Sequence, residues 1–326
     1  MNDLYPLKFK PILKETIWGG SKLKNRLNKK TLSDKVGESW EISCVEDNIS
    51  IVSNGFLTNN SLVELIEIYM GDLVGEKVYE KFGTGFPLLI KFIDANDVLS
   101  IQVHPDDKLA IERHQSNGKT EMWYILENDP DSELICGFNT RVDKETYLKR
   151  LNENKLNRIL NFEKVQRGDV FFIPAGRVHA IGSGILLAEI QQTSDMTYRI
   201  FDWNRTDSDG NPRELHTELA LDAIDYKYYE NYKTTYISTL NKTSNMVDCP
   251  YFFTNILKFD QPIEKDYYLV DSFVIYLCIE GHFTIKTDKG IIEQVQKGET
   301  VLIPAALKNL SLIPEGNAEI IEVYIK

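Results

Sequence analysis

Long apolar runs are missing from this 326-residue chain, and with them any candidate for a membrane-spanning helix. The stretch MNDLYPLKFKPILKETIWGG at the start has no apolar core suited to a secretory signal. Cysteine is sparse: Cys44, Cys136, Cys249 and Cys278 are scattered without paired spacing, which argues against a disulfide framework. We expect buried thiols in a reducing compartment, and therefore a cytoplasmic protein. A basic surplus is also absent. Lys and Arg number 37 against 49 Asp and Glu, a net charge of −12. A general nucleic-acid binder, which needs a basic face for phosphates, is thereby disfavoured. A small anionic substrate is not, because a local cluster of Lys and Arg overrides a distant negative surplus. No linker-like or low-complexity stretch interrupts the chain, whose length suits two tightly packed domains.

Most of what is present is strand signal. ISIVSN, PLLIKFID, VLSIQVH, MWYIL and VFFIPA are β-rich runs punctuated by Gly, Asn, Asp and Pro. Helical patterns interrupt them. Ser61 with Glu64 forms a capping box, after which Leu62, Leu65, Ile66 and Tyr69 share one helical face. Asp143 can cap a second helix with Tyr147, Leu148 and Leu151 inward, and a third is expected from Pro212 through Ile224.

One segment occurs twice. VQRGDVFFIPAGRVH (165–179) spaces Gly168, Pro174, Gly176 and His179, and VQKGETVLIPAALKN (295–309) aligns with it without a gap, Asn309 standing in place of His179. The first copy resembles the second sequence motif of the cupin β-barrels, where a strand, a Pro/Gly turn and another strand deliver a histidine to the barrel interior. The resemblance implies a mainly β fold: two cupin-type (jelly-roll) β-barrels, the second degenerate, with a few short helical insertions. We place a catalytic metal-binding domain at residues 1–240, with helical insertions near 61–80 and 143–160. A degenerate domain follows at 241–326. Superposing Tyr276 on Tyr124 puts Phe273 where Glu121 stands, and His282 has no aligned partner ligands, so the second barrel reads as a packing or interface module.

Metal-ligating residue types gather around the first copy. Gln102 and His104 are two apart on a strand and share a face, while Ile101 and Val103 point the other way. Glu121 opens an apolar strand and shares a face with Trp123. Alone, the Gln-His pair reads as partly buried polar residues, Glu121 as a solvated edge residue and His179 as structural. Together with His179 they supply two imidazoles, a carboxylate and an amide oxygen, an open site suited to Zn²⁺ or a related divalent ion. His114 reads as a surface residue, His216 as a helix-packing or site residue, and Trp18 and Trp40 as core residues with an edge toward the pocket.

AEIQQTSDMTYRIFDWNR (188–205) places Glu189 after a strand and Arg199 between an aromatic and an aliphatic residue. LSIQVHPDD, KTEMWYIL, GRVHAIGSGILLAEIQQTSDMTYRIFDWNR and PRELHTELALDAI, in this order, strongly resemble the type I phosphomannose isomerases in their short bacterial form. TIWGG and VGESWEIS add to the likeness, which covers roughly Leu7 to Ile224. It implies that Gln102, His104, Glu121 and His179 ligate zinc, one ion per chain, and that Lys91 and Lys119 line the substrate pocket. Glu189 and Arg199 then stand across it, Arg199 as the catalytic arginine. The implied reaction interconverts mannose 6-phosphate and fructose 6-phosphate. Gly118 and Thr120 stand where the long-form family has His and Pro.

Either Glu189 or Lys119 could be the base at C1/C2. Lys91, Lys119 and Arg177 are cations available to the phosphate, and Arg199 can hold the open-chain sugar or a developing negative charge. A neutral Gln102 leaves the site more positive than a carboxylate would. Two other readings stay open: a cupin isomerase of another sugar phosphate such as glucose 6-phosphate, and a sugar-sensing module without turnover. Proton transfer through a cis-enediol is expected over direct hydride shift.

Overall fold

In the computed structural model, residues 4–206 and 210–326 are described. Two β-units follow one another, each made of two facing antiparallel sheets of jelly-roll type. The larger sheet of the first unit runs, in spatial order, Val170–Ile173, Glu121–Asn128, Ile185–Gln192, Leu88–Ala95, Val36–Ile42 and Ile12–Gly20. Its smaller sheet runs Leu160–Lys164, Glu133–Phe138, His179–Ala180, Ile101–Val103 and Tyr198–Phe201. The second unit repeats this plan. Its larger sheet has Thr300–Ile303, Val274–Glu280, Ala318–Tyr324, Phe253–Phe259 and Ser244–Asp248 side by side, and its smaller one has four strands. Leu7–Lys8, from the start of the chain, pairs with Thr300–Ile303 and so joins the second unit's sheet.

The two large sheets pack back to back. Strand Leu88–Ala95 (LLIKFIDA) is buried along its whole length because both its faces are covered. Ile90 and Phe92 point into an apolar layer shared with Met122, Tyr124, Ala188 and Ile190, and with Ile275, Leu277, Ile321 and Val323 of the second unit. The alternate residues face the first barrel's interior. That interior is apolar at one end, around Ile93, Trp123, Ile125, Phe171 and Ile185, and polar at the other. Polar contacts cross the seam too: the Tyr124 hydroxyl donates to Glu319 at 2.7 Å, and Arg167 reaches Glu319 at 3.2 Å.

Helices sit outside the sheets. Leu62–Val74 starts at the expected capping box, in which Ser61 Oγ accepts from Glu64 N and Ser61 N donates to the Glu64 carboxylate. Lys144–Asn152 is capped by Asp143 as its sequence predicts. The third expected helix is shorter than its pattern: it runs Thr217–Ala223, not from Pro212. Residue 216 is diverted, because His216 N donates to the Arg199 carbonyl and His216 Nδ1 accepts from Arg199 N, a ladder-like pair that ties this segment to the sheet. An unanticipated helix, Asp107–His114, follows the Gln-His strand, with Asp106 as its cap. Its last residue, His114, is not a free surface side chain, since Nε2 bonds the Tyr198 hydroxyl at 2.7 Å. Among the described residues no helix is long and apolar enough to cross a membrane.

The register corrects one alignment. Glu121 pairs with Ile173 in the first barrel, and Val274 pairs with Ile303 in the second. Ile173 and Ile303 occupy the same place in the repeated motif, so Val274, not Phe273, is the counterpart of Glu121. Phe273 faces the seam between barrels, while Val274 faces the interior. A slip of one residue exchanges the two faces of a strand.

Candidate active site

Two rows of side chains meet across the first barrel. On the large sheet, register aligns Trp123, Glu189, Lys91 and Trp40 on adjacent strands, and Glu121 lies two residues before Trp123 on the same face. On the small sheet, His179, Gln102 and Arg199 align across three strands. Because Ile101 and Val103 are buried against the outer layer of that sheet, Gln102 and His104 are left facing inward. The Pro-Ala-Gly turn at 174–176 brings His179 in: Gly176 N donates to the His104 carbonyl at 2.9 Å, locking the turn to the Gln-His strand.

His104, Glu121 and His179 form a tight buried cluster, with ligand atoms all within 4.8 Å of one another. Each imidazole engages a backbone carbonyl through Nδ1, His104 with Met196 at 2.9 Å and His179 with Arg177 at 2.8 Å. A neutral ring donating there leaves Nε2 as a lone pair turned toward Glu121, at 3.5 Å in both cases. Burial holds both rings neutral: it pulls the His104 pKa well below its ordinary value, assisted by the nearby Lys119, and lowers that of His179. Gln102 completes the group with its amide 3.2 Å from His179 Nε2, where rotation of the amide would exchange nitrogen for oxygen.

These residues fit a cation. Both Glu121 oxygens and His104 Nε2 are buried without a hydrogen-bond partner. A buried carboxylate without donors is costly unless a positive charge accompanies it. Lys119 Nζ, at 3.7 Å, is the nearest protein cation to Glu121 and leaves the lone pairs of both histidines unused. Two neutral imidazoles, a carboxylate and an amide are the donor set of a divalent transition metal.

Beside the cluster opens a pocket of about 330 Å³, lined by Lys91, Gln102, Lys119, Glu189, Arg199 and Arg213, with Trp18 and Trp40 among its walls. Glu189 is fixed from two sides, its Oε2 accepting from Trp123 Nε1 at 2.9 Å and its Oε1 lying 3.2 Å from Lys91 Nζ. Burial alone would lower the Lys91 pKa, but Glu38 and Glu189 outweigh it and raise the ammonium above its usual value. Lys91 therefore stays charged. Arg199 donates to the Glu214 carbonyl at 2.8 Å while its buried Nε has no partner. Burial, then the neighbouring Arg213, pulls its pKa down, with Asp202 opposing them.

Arg213 itself is held by Asp202, with Nε to Oδ2 at 2.6 Å and Nη2 to Oδ1 at 2.5 Å. It lies in the segment PRELHTELALDAI, where nothing local distinguishes it from a surface arginine. Arg177, expected among the substrate residues, is not brought to this pocket. Its guanidinium lies over the rings of Tyr229 and Tyr232, at 4.6 and 5.2 Å, and bonds the Phe172 carbonyl.

Comparisons with known proteins identify the family. Residues 6–139 match the family model "Phosphomannose isomerase type I, catalytic domain", and residues 242–325 match "Mannose-6-phosphate isomerase, cupin domain". The chain is 34% identical to the mannose-6-phosphate isomerase ManA of Bacillus subtilis, covering 98% of this chain and 99% of that protein. It is 32% identical to the mannose-6-phosphate isomerase of Streptococcus mutans, over 97% of each. The crystal structure of the mannose 6-phosphate isomerase from B. subtilis superposes with a TM-score of 0.88, at 32% identity over 99% of this chain and 100% of that one. By its sequence along nearly its whole length and by its fold, the chain belongs to the type I phosphomannose isomerases.

Proposed function

We propose that the chain interconverts mannose 6-phosphate and fructose 6-phosphate by proton transfer through a cis-enediol, with Zn²⁺ held by Gln102, His104, Glu121 and His179. The observation that supports this most is the buried Glu121 carboxylate, which lacks a donor and stands between two neutral imidazoles at the wall of a pocket that Lys91, Lys119, Arg199 and Arg213 line together with Glu38, Glu189 and Asp195. Bound there, the ion supplies positive charge that stabilises an oxyanion developing on the sugar at C1 or C2.

The remaining work falls to the side chains. Arg199 and Arg213 attract the anionic substrate, and Lys91, kept charged by Glu38 and Glu189, adds to the field. Lys119, beside the ligand cluster, is assigned as the carrier of the proton: as the neutral amine it takes the proton from C2, and the resulting ammonium returns it to C1. Glu189 is the less suitable base because Trp123 and Lys91 already engage its two oxygens and hold it in place. The tryptophan walls limit water around the open-chain sugar. The assignment of residues 1–240 to the metal-binding catalytic unit and 241–326 to the degenerate one belongs to the same proposal. So does a cytoplasmic location, which fits four free cysteines.

The test is fructose 6-phosphate formation by the purified protein, by a chelator-treated sample and by that sample with Zn²⁺ restored. Loss and recovery of turnover are expected. A folded, zinc-loaded sample that turns over glucose 6-phosphate and not mannose 6-phosphate would redirect the assignment. In deuterated water, solvent deuterium should enter the product at the transferred position; its complete absence would favour hydride shift.

A further inference from the structure

Lys119 sits on the short segment 118–120, whose three successive amides are all anchored. Gly118 N donates to Asp107 Oδ1 at 2.9 Å, Lys119 N to the Pro105 carbonyl at 3.1 Å, and Thr120 N to Gln192 Oε1 at 2.8 Å. Gln192 is itself held by Asp107, to whose Oδ1 its Nε2 donates at 3.0 Å. Asp107 thus grips the segment twice, directly at Gly118 and through Gln192 at Thr120. Its other oxygen, Oδ2, accepts from the Tyr251 hydroxyl at 2.7 Å. Tyr251 lies just before the strand Phe253–Phe259, on the second barrel.

Asp107 has no duty within its own helix that would explain these contacts. Capping is performed by Asp106, whose side chain accepts from Leu109 N at 2.8 Å. The approach is also close: a Cβ on Gly118 would lie 2.5 Å from Asp107 N and 2.6 Å from the Asp106 carbonyl carbon. Glycine at 118 is what lets the segment rest on the start of this helix.

From this geometry we infer that Asp107, oriented by Tyr251 of the second barrel, is a positioning residue that fixes Lys119 against the ligand cluster. The inference rests on the reading of Lys119 as a working group. It gives the barrel without metal ligands a part in the reaction. An ionised carboxylate makes stronger hydrogen bonds than a neutral acceptor, and one that takes three donors leaves little freedom to the backbone it holds. A displacement of about 1 Å at a reacting group costs on the order of 100-fold in rate.

The test compares kcat and KM of zinc-loaded Asp107→Ala, Asp107→Asn, Tyr251→Phe and Lys119→Ala, with metal content and thermal midpoint recorded for each. Asp107→Ala should lose about 10- to 100-fold in kcat with little change in KM, and amide hydrogen exchange at 118–120 should accelerate. Asp107→Asn keeps Oδ1 as an acceptor for Gly118 and Gln192 and should recover to within about 3-fold of wild type. Tyr251→Phe should lose about 2- to 5-fold, since one hydrogen bond is removed without a cavity.

Wild-type kcat in Asp107→Ala alongside a crippled Lys119→Ala would overturn the inference and leave the role of Lys119 standing. Wild-type kcat in Lys119→Ala would instead remove the reading beneath it. A loss in Asp107→Ala that tracks metal content or thermal midpoint, without rescue by Asp107→Asn, would show a merely structural residue. If Asp107→Ala does not fold, Tyr251→Phe decides, and unchanged turnover there overturns the proposal.

Discussion

The two barrels carry the same row of positions and use it in opposite ways. In the first, Trp123, Glu189 and Lys91 stand side by side on three strands; in the second, Tyr276, Glu322 and Asn255 hold the corresponding places. Both rows keep a buried glutamate at the centre. Glu189 has one oxygen bonded to Trp123 and the other beside Lys91, in a row that lines an open pocket. Glu322 is closed in on every side: Asn255 Nδ2 donates to it at 2.8 Å, the Tyr267 hydroxyl at 2.5 Å, and Lys265 Nζ pairs with it at 2.5 Å. Tyr267 also bonds the Tyr276 hydroxyl. With Val274 opposite Glu121 and Asn309 opposite His179, nothing in the second interior asks for a cation. A site becomes core here by having its charge satisfied within the protein, not by losing it.

The sharpest way to break the comparison is to alter matched positions. His179→Gln should lower kcat at least about 1,000-fold and release metal, because it removes a charge-stabilising centre from the reaction. Asn309→Ala, at the same motif position in the second copy, should leave turnover and metal content unchanged. Steady-state rates and metal analysis of the two proteins check this. A comparable loss in both would mean that the second barrel contributes more than packing and the placement of one loop.

Stability should show the reverse preference. Lys265→Met leaves Glu322 buried beside two tyrosines and one amide without its cation, which should cost about 3–5 kcal/mol in urea unfolding. Turnover of the folded fraction should stay at the wild-type level. Adding Glu322→Leu should restore much of the loss, since replacing both members of a buried pair by apolar residues is often neutral. At the first barrel, Lys91→Met should show a smaller stability loss and a larger activity loss, because Glu189 faces a pocket that water can enter.

These contrasts also mark what the sequence makes legible. The clustering of Gln102, His104 and His179 is readable because period-two spacing puts Gln102 and His104 on one face and the Gly-Pro-Gly spacing delivers His179. Helix starts at Ser61 and Asp143 are readable because capping is local chemistry. The start of the third helix is not, because His216 is claimed by Arg199 on a strand distant from it in the chain. The counterpart of Glu121 is misplaced by one residue when tyrosines are matched by type, since only strand pairing tells which of Phe273 and Val274 faces inward. Arg213, Tyr251 and the closing of Glu322 by Lys265 are tertiary: each depends on which loop lies across which strand, and no spacing encodes that.

The smallest expected effect is on alkaline stability, and it can be read at the matched Trp123 and Tyr276 positions. Burial, followed by the surrounding hydroxyl and carboxylate groups, raises the pKa of Tyr267 well above its ordinary value of 10.0. Burial and Glu322 do the same to Tyr276. Both phenols are held neutral in the folded protein and ionise more readily once unfolded. Their contribution is therefore fully present below about pH 10 and is lost as pH rises toward the folded values, at about 1.4 kcal/mol per pH unit for each group. Trp123, at the position of Tyr276 in the first barrel, has no titrating proton in this range. Urea midpoints measured from pH 8 to 11 should fall less steeply for Tyr276→Phe than for wild type. An unchanged slope would place the alkaline weakness elsewhere, with Tyr124 and its Glu319 partner at the seam as the next pair to alter.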